Sequence, residues 1–255
     1  MHQIEKIETL ARLIRGSENT VFFGGAGVST ESGIPDFRSE TGLYAAQKVY
    51  GYAPEELISY SLFQREPELF FRYYKENLIH PSAQPNAAHR ALAEMGREWN
   101  LRAVITQNID GLHQAAGSEH VYELHGSHQR QYCMACGTRY TLDYIMDVAS
   151  CKDRVIPLCA KCGGVVRPDV VLYEESLDET VIQAAVDAIA AAQLLIVGGT
   201  SLAVYPAAGL LRFFTGDTLV LINKSETPMD QRAQLVIRDS IGNVLGEALN
   251  MIALS

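Results

Sequence analysis

The glycine-rich stretch GGAGVSTESGIPDFR, residues 24–38, follows directly on an apolar run at residues 19–23. That run is rich in β-forming residues, so the glycines fall where a buried strand ends and the chain turns. Glycines allow backbone N–H groups to come close to an anionic ligand, and Ser29, Thr30 and Ser32 place hydroxyl groups beside them. The stretch therefore predicts a loop that binds the pyrophosphate of a nucleotide.

The second half of this stretch argues against a plain connection between a strand and a turn. The glycines alone would fit such a connection in any α/β protein. After them, Pro35 fixes one φ angle, and Asp36, Phe37 and Arg38 present a carboxylate, an aromatic ring and a guanidinium in consecutive positions. A plain turn needs none of these groups, so the pattern favours a ligand-binding loop.

Composition and charge exclude several classes of protein. The chain has 255 residues, of which 47% are hydrophobic and 20% are charged, and its net charge is -9. This acidic balance argues against direct nucleic-acid binding, which needs a basic field. No apolar run reaches the roughly 18 residues of a membrane span, and the start MHQIEKIETL lacks the basic-then-apolar pattern of a signal peptide. We therefore expect a globular cytoplasmic protein that does not engage a membrane.

Strand and helix patterns alternate along most of the chain. Apolar residues recur at helical spacing before Gly16, and helical patterns return at residues 177–192, near Pro206 and around Leu245. Apolar strand patterns lie at residues 19–23, 102–106, 121–124, 170–173, 194–197, 219–222 and 235–237. Strands that alternate with helices indicate a mostly parallel sheet covered on both faces. The predicted fold class is α/β, with a Rossmann-like, doubly wound sheet.

Two insertions interrupt this alternation. Residues 39–97 are helical and aromatic-rich, with Asn86 as a predicted helix cap, and residues 127–166 carry the cysteine pairs. We expect the helical insertion and the cysteine-bearing insertion to form one smaller domain. The Rossmann-like domain is expected at residues 1–38, 98–126 and 167–255. The aromatic side chains predicted to pack between the inserted helices are Phe70, Phe71, Tyr73 and Tyr74.

The two cysteine pairs have the spacing of a metal site. Two residues separate the cysteines of each pair, so both thiolates can reach one ion, and two pairs complete a tetrahedral shell that suits zinc. The predicted ligands are Cys133, Cys136, Cys159 and Cys162. A closed shell leaves no position for water or substrate, so one structural zinc is predicted, and residues 127–166 are expected to be a zinc-ribbon module. Cys151 is left as a spare thiol, and a redox role is disfavoured because neither pair begins a helix in a βαβ pattern.

Polar residues follow two of the predicted strands. Residues 107–110 come after the second strand, and His125 comes after the third. Ligands bind beyond the carboxyl ends of parallel strands, so these residues should face the same crevice as the glycine loop. Each has an ordinary alternative, since a lone histidine is often structural and Asn108 and Asp110 could cap the next helix. A base, an amide and a carboxylate at neighbouring strand ends favour a catalytic site.

Several motifs together resemble those of one family. GAGVSTESGIPDFR is similar to the phosphate and cofactor-binding loops of the sirtuins, the NAD-dependent protein deacylases, and in particular of the bacterial ones. The resemblance continues in TQNIDGLH at 106–113, ELHG at 123–126, RPDVV at 167–171 and GTSLAVYPAA at 199–208, and so spans nearly the whole chain. It implies that NAD is cleaved to nicotinamide and that the acyl group of an acetyl-lysine protein or peptide is transferred to ADP-ribose.

The resemblance assigns roles to individual residues. It implies that His125 is the base for the ribose 2′-hydroxyl, that Asn108 orients ribose and water, and that Asp110 holds the nicotinamide carboxamide. The implied NAD contacts are Ala26, Thr30, Phe37, Arg38, Gln107, Ile109, Asp110, Gly199, Thr200, Ser201, Asn223, Lys224 and Ile241. The implied backbone contacts of the substrate peptide are Val170, Val171, Ala203 and Val204.

The glycine loop itself separates NAD cleavage from hydride transfer. A Rossmann dehydrogenase would have G-x-G-x-x-G and an acidic ribose-binding residue about 20 positions later. Here residues 24–29 are GGAGVS, and the next predicted strand comes only at residues 102–106. The pattern therefore favours an enzyme that consumes NAD.

Two stretches depart from patterns known in sirtuins. Tyr173-Glu174-Glu175 stands where the family commonly has Phe-Gly-Glu, which affects the approach of the peptide. Sirtuins that prefer dicarboxylic acyl chains carry a tyrosine and an arginine two to three residues apart after the P-x-F-R motif. Residues 42–48 contain Tyr44 but no arginine, and Lys48 falls later than the required position. The resemblance therefore predicts a preference for neutral acyl groups.

Two other functions fit the same fold. A protein ADP-ribosyltransferase would use the same ribose carbon of NAD as its electrophile. A module that senses NAD or binds peptides without catalysis would keep the zinc and the nucleotide loop. His125, Asn108 and Asp110 together disfavour this last alternative, because a binding module needs no base.

Overall fold

The computed structural model describes residues 2–36 and 49–254. Residues 37–48 lie outside the described part of the chain, and with them Phe37, Arg38, Tyr44 and Lys48. The strands are β1 (Thr20–Gly24), β2 (Leu101–Thr106), β3 (Val121–Glu123), β4 (Gly126–Cys133), β5 (Arg139–Thr141), β6 (Cys151–Lys152), β7 (Ile156–Pro157), β8 (Val166–Val170), β9 (Leu194–Gly198), β10 (Thr218–Ile222) and β11 (Leu235–Ile237).

The helices surround the sheet and fill the first insertion. They are α1 (Gln3–Gly16), α2 (Pro54–Leu57), α3 (Tyr60–Arg65), α4 (Pro67–Asn77), α5 (Ala87–Glu98), α6 (Leu112–Ala115), α7 (Leu142–Met146), α8 (Glu179–Ala191) and α9 (Ile241–Ala253). Short 3-10 segments lie at Ala26–Val28, Thr30–Ser32, Val148–Ser150, Ala207–Phe213 and Asp230–Arg232. Within the described residues, no helix combines the length and the apolar character needed to cross a bilayer.

A six-stranded sheet forms the centre of the molecule, in the order β11-β10-β9-β1-β2-β3. All neighbouring pairs in it are parallel, which confirms the predicted doubly wound α/β fold. Strands β1 and β9 are buried along their whole length. Their unbroken apolar sequences fit this position, because helices cover both faces of a parallel sheet.

The side chains of β1 alternate between two hydrophobic cores. Phe22 packs with α1, α5 and α9 on one face, while Val21 and Phe23 pack with α8 on the other. This alternation follows from the period of two residues along a strand. Because both cores include residues of β1, the loop that follows Gly24 starts from a fixed point.

The helical insertion has its own core, as predicted. Phe70, Phe71, Tyr73 and Tyr74 of α4 have no exposed surface and pack in a third hydrophobic cluster, which also includes Cys133 and Cys159. The predicted cap is confirmed as well, because the side chain of Asn86 accepts hydrogen bonds from the backbone N–H groups of Ala88 and His89.

One predicted strand differs from the structure. The apolar run at residues 170–173 was expected to be a strand of the main sheet. The strand found there is β8, which ends at Val170 and pairs antiparallel with β4 in a separate sheet of order β5-β4-β8. Leu172 is buried in the cluster of the helical insertion, so the apolar run packs in the smaller part of the molecule.

Candidate active site

The glycine loop lies against the turn that follows β9. The backbone N–H of Gly27 donates a hydrogen bond to the carbonyl oxygen of Gly199, at 2.8 Å. A Cβ atom on Gly27 would stand 2.8 Å from that oxygen and from the Gly199 Cα atom, closer than real Cβ contacts allow. Glycine is therefore required at residue 27 by the close approach of two backbones, and the loop and the turn form one surface.

The residues after β2 are tied to the same surface. The backbone N–H of Gln107 donates to the carbonyl oxygen of Gly24 at 3.0 Å. Its side-chain amide donates to the Thr200 hydroxyl at 3.2 Å. The ends of β1, β2 and β9 are thus joined by hydrogen bonds, in agreement with the prediction that they share one crevice.

A buried hydroxyl group connects two of the predicted catalytic residues. Ser29 Oγ donates to Asp110 Oδ2 at 2.6 Å, and Asn108 Nδ2 donates to Ser29 Oγ at 3.0 Å. The other oxygen of Asp110 accepts from the backbone N–H of Leu112 at 2.9 Å. The amide and the carboxylate are therefore fixed relative to the glycine loop.

Ser29 is a member of the site that the sequence did not single out. It is 1% exposed, whereas the neighbouring Thr30 is exposed. The run of hydroxyl residues at 29–32 was visible in the sequence, but the choice among them depends on which side chain points inward. That direction is set by the two 3-10 turns, which no residue pattern predicted.

His125 lies between β3 and β4, and a hydrogen bond to the backbone holds its ring in one tautomer. Its Nδ1 atom lies 2.8 Å from the carbonyl oxygen of Gln107. A carbonyl oxygen can only accept, so Nδ1 carries the hydrogen and Nε2 keeps a free lone pair. Burial lowers the pKa of His125 below its usual value, and the hydrogen bond to Gln107 offsets part of this effect. The imidazole is therefore a neutral base near pH 7.

The glycine after His125 allows a sharp turn into β4. Gly126 has φ 75°. A Cβ atom at this position would stand 2.1 Å from the carbonyl oxygen of Asp169. Only glycine fits there, so the Glu-Leu-His-Gly motif is needed as much for the backbone as for its histidine.

One cavity of about 590 Å³ joins these groups. Its volume lies within the range of about 300–1,000 Å³ that is typical of small-molecule sites. The predicted site residues that line it are Ala26, Thr30, Gln107, Asn108, Ile109, Asp110, His125, Val170, Val171, Gly199, Thr200, Ser201, Val204, Asn223, Lys224 and Ile241. Ala203 is exposed and does not line the cavity.

The four paired cysteines come together at a second place. Their sulfur atoms all lie within 4.8 Å of one another, with Cys133 and Cys162 3.5 Å apart and Cys136 and Cys159 3.6 Å apart. Four thiolates around one zinc ion have sulfur–sulfur distances of about 3.8 Å, since each Zn–S bond is about 2.3 Å. The cluster therefore fits a tetrahedral zinc site.

The surroundings of the cluster also suit thiolate ligands. Tyr140 Oη lies 3.0 Å from Cys159 Sγ, and Thr138 Oγ1 lies 3.1 Å from Cys136 Sγ. Hydroxyl donors of this kind stabilise the charge of a metal-bound thiolate. Cys151 lies outside the cluster, with its sulfur 3.2 Å from Lys75 Nζ.

Comparisons with known proteins agree with this geometry. The sequence model of the Sir2 family matches residues 25–206. An NAD-dependent protein deacetylase of Clostridium acetobutylicum is 55% identical over 242 residues, covering 95% of this chain and 97% of that protein. A protein of the same description from Clostridium perfringens is 56% identical over 247 residues, covering 96% and 99%.

Solved structures of Sir2 proteins are also similar to this chain. A Sir2 protein in complex with a p53 peptide and NAD+ has a TM-score of 0.86 and 36% identity, with 98% of this chain and 99% of that chain covered. A Sir2 protein bound to an acetylated peptide has a TM-score of 0.85 and 35% identity, with 100% of both chains covered. The chain therefore belongs to the Sir2 family, the sirtuins.

Proposed function

We propose that this protein is an NAD-dependent protein-lysine deacetylase that acts in the cytoplasm on acetyl-lysine proteins or peptides. The observation that carries the proposal is the meeting of His125, Asn108 and Asp110 in one cavity with the glycine loop. A binding module would need the loop but not a base with a free lone pair. The descriptions of the relatives at 55% and 56% identity support the same activity.

Different residues of the cavity have different roles in the reaction. NAD supplies an electrophilic ribose carbon and nicotinamide as the leaving group. His125 accepts the proton of the ribose 2′-hydroxyl at Nε2, since its Nδ1–H donates a hydrogen bond to the carbonyl oxygen of Gln107. Asp110 holds the nicotinamide carboxamide and Asn108 orients ribose and water, both positioned by Ser29.

The remaining predicted residues bind the cofactor and the peptide. The loop residues Ala26 and Thr30 and the turn at residues 199–201 bind the phosphates. Gln107 and Ile109 surround the ribose and nicotinamide. Phe37 shields the reactive face from water, and Arg38 orders the loop over the cofactor. On the adenosine side the proposed contacts are Asn223, Lys224 and Ile241. The peptide pairs through its backbone with Val170, Val171, Ala203 and Val204.

We also propose a division of the chain into domains. Residues 1–38, 98–126 and 171–255 form the NAD-binding domain, and residues 39–97 and 127–170 form the small domain. Strand β8 extends this small domain to about Val170, because it pairs with β4. A single zinc ion held by the four clustered cysteines stabilises the small domain and takes no part in the reaction.

Mass spectrometry of an acetyl-lysine peptide incubated with the protein and NAD tests the proposal. A deacetylase removes the acetyl group, and the product 2′-O-acyl-ADP-ribose appears together with nicotinamide. An ADP-ribosyltransferase would instead add ADP-ribose to the peptide, and a binding module would change neither compound. Either of the last two results would contradict the proposed function.

Removal of one zinc ligand is expected to destabilise the protein. Wild-type protein should contain one zinc per chain, and Cys133→Ala should lose it and lower the melting temperature, because Cys133 also lies in the core of the helical insertion. The matched control is Cys151→Ala, which removes a thiol outside the cluster and should keep the zinc. Zinc content by elemental analysis checks both variants. Retention of one zinc in a Cys133/Cys159 double variant would contradict the assignment.

Neutral acyl groups are expected to be the better substrates. Burying a succinyl carboxylate without a paired cation costs several kcal/mol, and residues 42–48 contain no arginine. We therefore expect kcat/KM for an acetyl-lysine peptide to exceed that for the matched succinyl-lysine peptide at saturating NAD. Gln47→Arg, which places an arginine three residues after Tyr44, should reduce the difference in kcat/KM between the acetyl- and succinyl-lysine peptides. A wild-type succinyl value equal to the acetyl value would refute the prediction.

A further inference from the structure

Glu174 lies in the wall of the cavity, four residues after strand β8 ends. It belongs to the group of described lining residues that runs from Val170 to Glu175. Its φ is 78°, in the left-handed region that non-glycine residues rarely adopt. A residue in this conformation persists only where its surroundings hold it in place.

Hydrogen bonds from the helical insertion hold this part of the wall. The backbone N–H of Tyr60 donates to the carbonyl oxygen of Tyr173 at 3.0 Å, and the N–H of Tyr173 donates to that of Ile58 at 3.1 Å. The Glu174 carboxylate accepts from the backbone N–H of Ser61 at 2.8 Å and from its hydroxyl at 2.9 Å. Both carboxylate oxygens are thus fixed in direction, while the side chain stays exposed.

Glu174 and its neighbour Glu175 differ in whether the carboxylate is paired with a cation. The Glu175 carboxylate forms a two-pronged ion pair with Arg167, at 2.7 and 2.8 Å, and also accepts from the N–H of Leu172. Within residues 2–36 and 49–254, no lysine, arginine or histidine forms an ion pair with Glu174. Glu174 therefore presents an oriented carboxylate that forms no ion pair with any described residue.

We propose that Glu174 is a specificity-determining residue, which selects peptides that carry a lysine or arginine close to the acyl-lysine. The proposal rests on the proposed function, in which the peptide pairs with Val170 and Val171. Glu174 follows Val171 by three residues, at a turn closed by the hydrogen bond from the Glu175 N–H to the carbonyl oxygen of Leu172 at 3.1 Å, and it lines the same cavity as Val170 and Val171. Each carboxylate oxygen can accept a further hydrogen bond, so a guanidinium can bind without displacing Ser61.

Matched peptides separate charge from shape. Acetyl-lysine peptides are synthesised with arginine or with its neutral isostere citrulline at each of the positions up to three residues away on either side. For at least one position, kcat/KM of wild-type protein at low salt should be about two- to five-fold higher with arginine, as expected for an exposed ion pair. The preference should shrink at high salt.

Glu174→Gln tests whether this residue causes the preference. The carboxamide oxygen can accept from the N–H of Ser61 and its NH₂ group can donate to the Ser61 hydroxyl, so the wall is retained while the charge is removed. The arginine-to-citrulline ratio should fall to about one in this variant. The control Glu8→Gln removes an exposed carboxylate of α1 that does not line the cavity, and should leave the ratio as in wild type.

The peptide dissociation constant, measured by calorimetry without NAD, keeps the test independent of turnover. An arginine preference in binding that Glu174→Gln removes supports the proposal, even if no peptide were deacetylated and the proposed function failed. Equal binding of arginine and citrulline peptides at every position would overturn it. A preference that persists in Glu174→Gln would also overturn it, because another group would then be responsible.

Discussion

The variant His125→Ala is expected to lower the turnover number for an acetyl-lysine peptide by about 10²–10⁴-fold, the usual contribution of a general base. The reason is the orientation of the ring. Nδ1 is held by the carbonyl oxygen of Gln107 at 2.8 Å, so Nε2 is the one nitrogen that can accept a proton from the substrate side. The steady-state rate of nicotinamide release, compared with wild type at saturating NAD and peptide, measures the loss.

Two further variants separate the base from the fold. His125→Asn keeps a side-chain amide that can donate to the Gln107 carbonyl oxygen but has no basic nitrogen, so it should lose as much turnover as His125→Ala. The exposed His120 provides the control, and His120→Ala should keep wild-type turnover. Wild-type turnover in a folded His125→Asn protein would show that His125 is a structural residue.

The pH profile gives a second measurement on the same residue. Burial is the main cause that lowers the pKa of His125, so the ring loses its proton at a lower pH than a free histidine does. A base must be neutral to act, and kcat/KM should therefore fall on the acidic side with a midpoint below about 6.5, the usual histidine pKa. An acidic midpoint above this value would contradict the role of burial.

The central sheet could be predicted from the sequence because its strands are apolar on both faces. Residues 194–197 and 219–222 read as unbroken apolar runs, and the structure has β9 and β10 there. The glycine loop was predictable for a related reason, since glycines directly after such a run mark the point where a buried strand ends and the chain turns. Periodicity and composition report burial well when one environment surrounds a whole element.

The same reasoning failed where an apolar run belongs to a different layer. Residues 170–173 have the composition of a central strand, but the strand ends at Val170 and Leu172 packs in the core of the helical insertion. Composition gives the burial of Leu172 correctly, but it does not say which sheet or core Leu172 packs in. The assignment of a strand to a sheet depends on long-range pairing, which a local pattern does not contain.

The candidate site also has features that the sequence predicts and features that only the structure reveals. The convergence of His125, Asn108 and Asp110 could be predicted, because the ends of parallel strands meet at one edge. The link through Ser29 could not, since it depends on two 3-10 turns that point its hydroxyl inward. The fixed charge of Glu174 is likewise visible only once Ser61 of another segment is seen to bind it.

Two buried histidines near the site predict a loss of stability in mild acid. His89 has no exposed surface and His113 is 1% exposed, and their ring centroids are 4.7 Å apart. His89 Nδ1 accepts a hydrogen bond from the N–H of Asn86, whereas His89 Nε2 and both ring nitrogens of His113 have no partner among the described residues. A proton on either ring would be buried without a hydrogen-bond acceptor at these atoms.

The pKa values give the direction of the effect. Burial lowers the pKa of His89 to about 4, with Asp110 opposing and Arg90 adding to the shift, and it lowers the pKa of His113 to about 3. In the unfolded chain both titrate near the usual value of about 6.5. Below that pH the unfolded state binds more protons than the folded state, so the stability contribution is complete above about 6.5 and is lost as the pH falls towards the folded values.

We expect the free energy of unfolding to fall by about 1.4 kcal/mol per pH unit for each of these histidines once the pH is below about 6. In His113→Leu one of the two contributions is absent, so this variant should lose about 1.4 kcal/mol less per pH unit than wild type. Comparing the slopes of the two proteins, by urea unfolding between pH 7 and 5, cancels the contributions of His125, His128 and metal release. His120→Leu, at an exposed position, should have the wild-type slope. An unchanged slope in His113→Leu would mean that His113 is protonated in the folded protein or neutral in the unfolded one, and would refute the prediction.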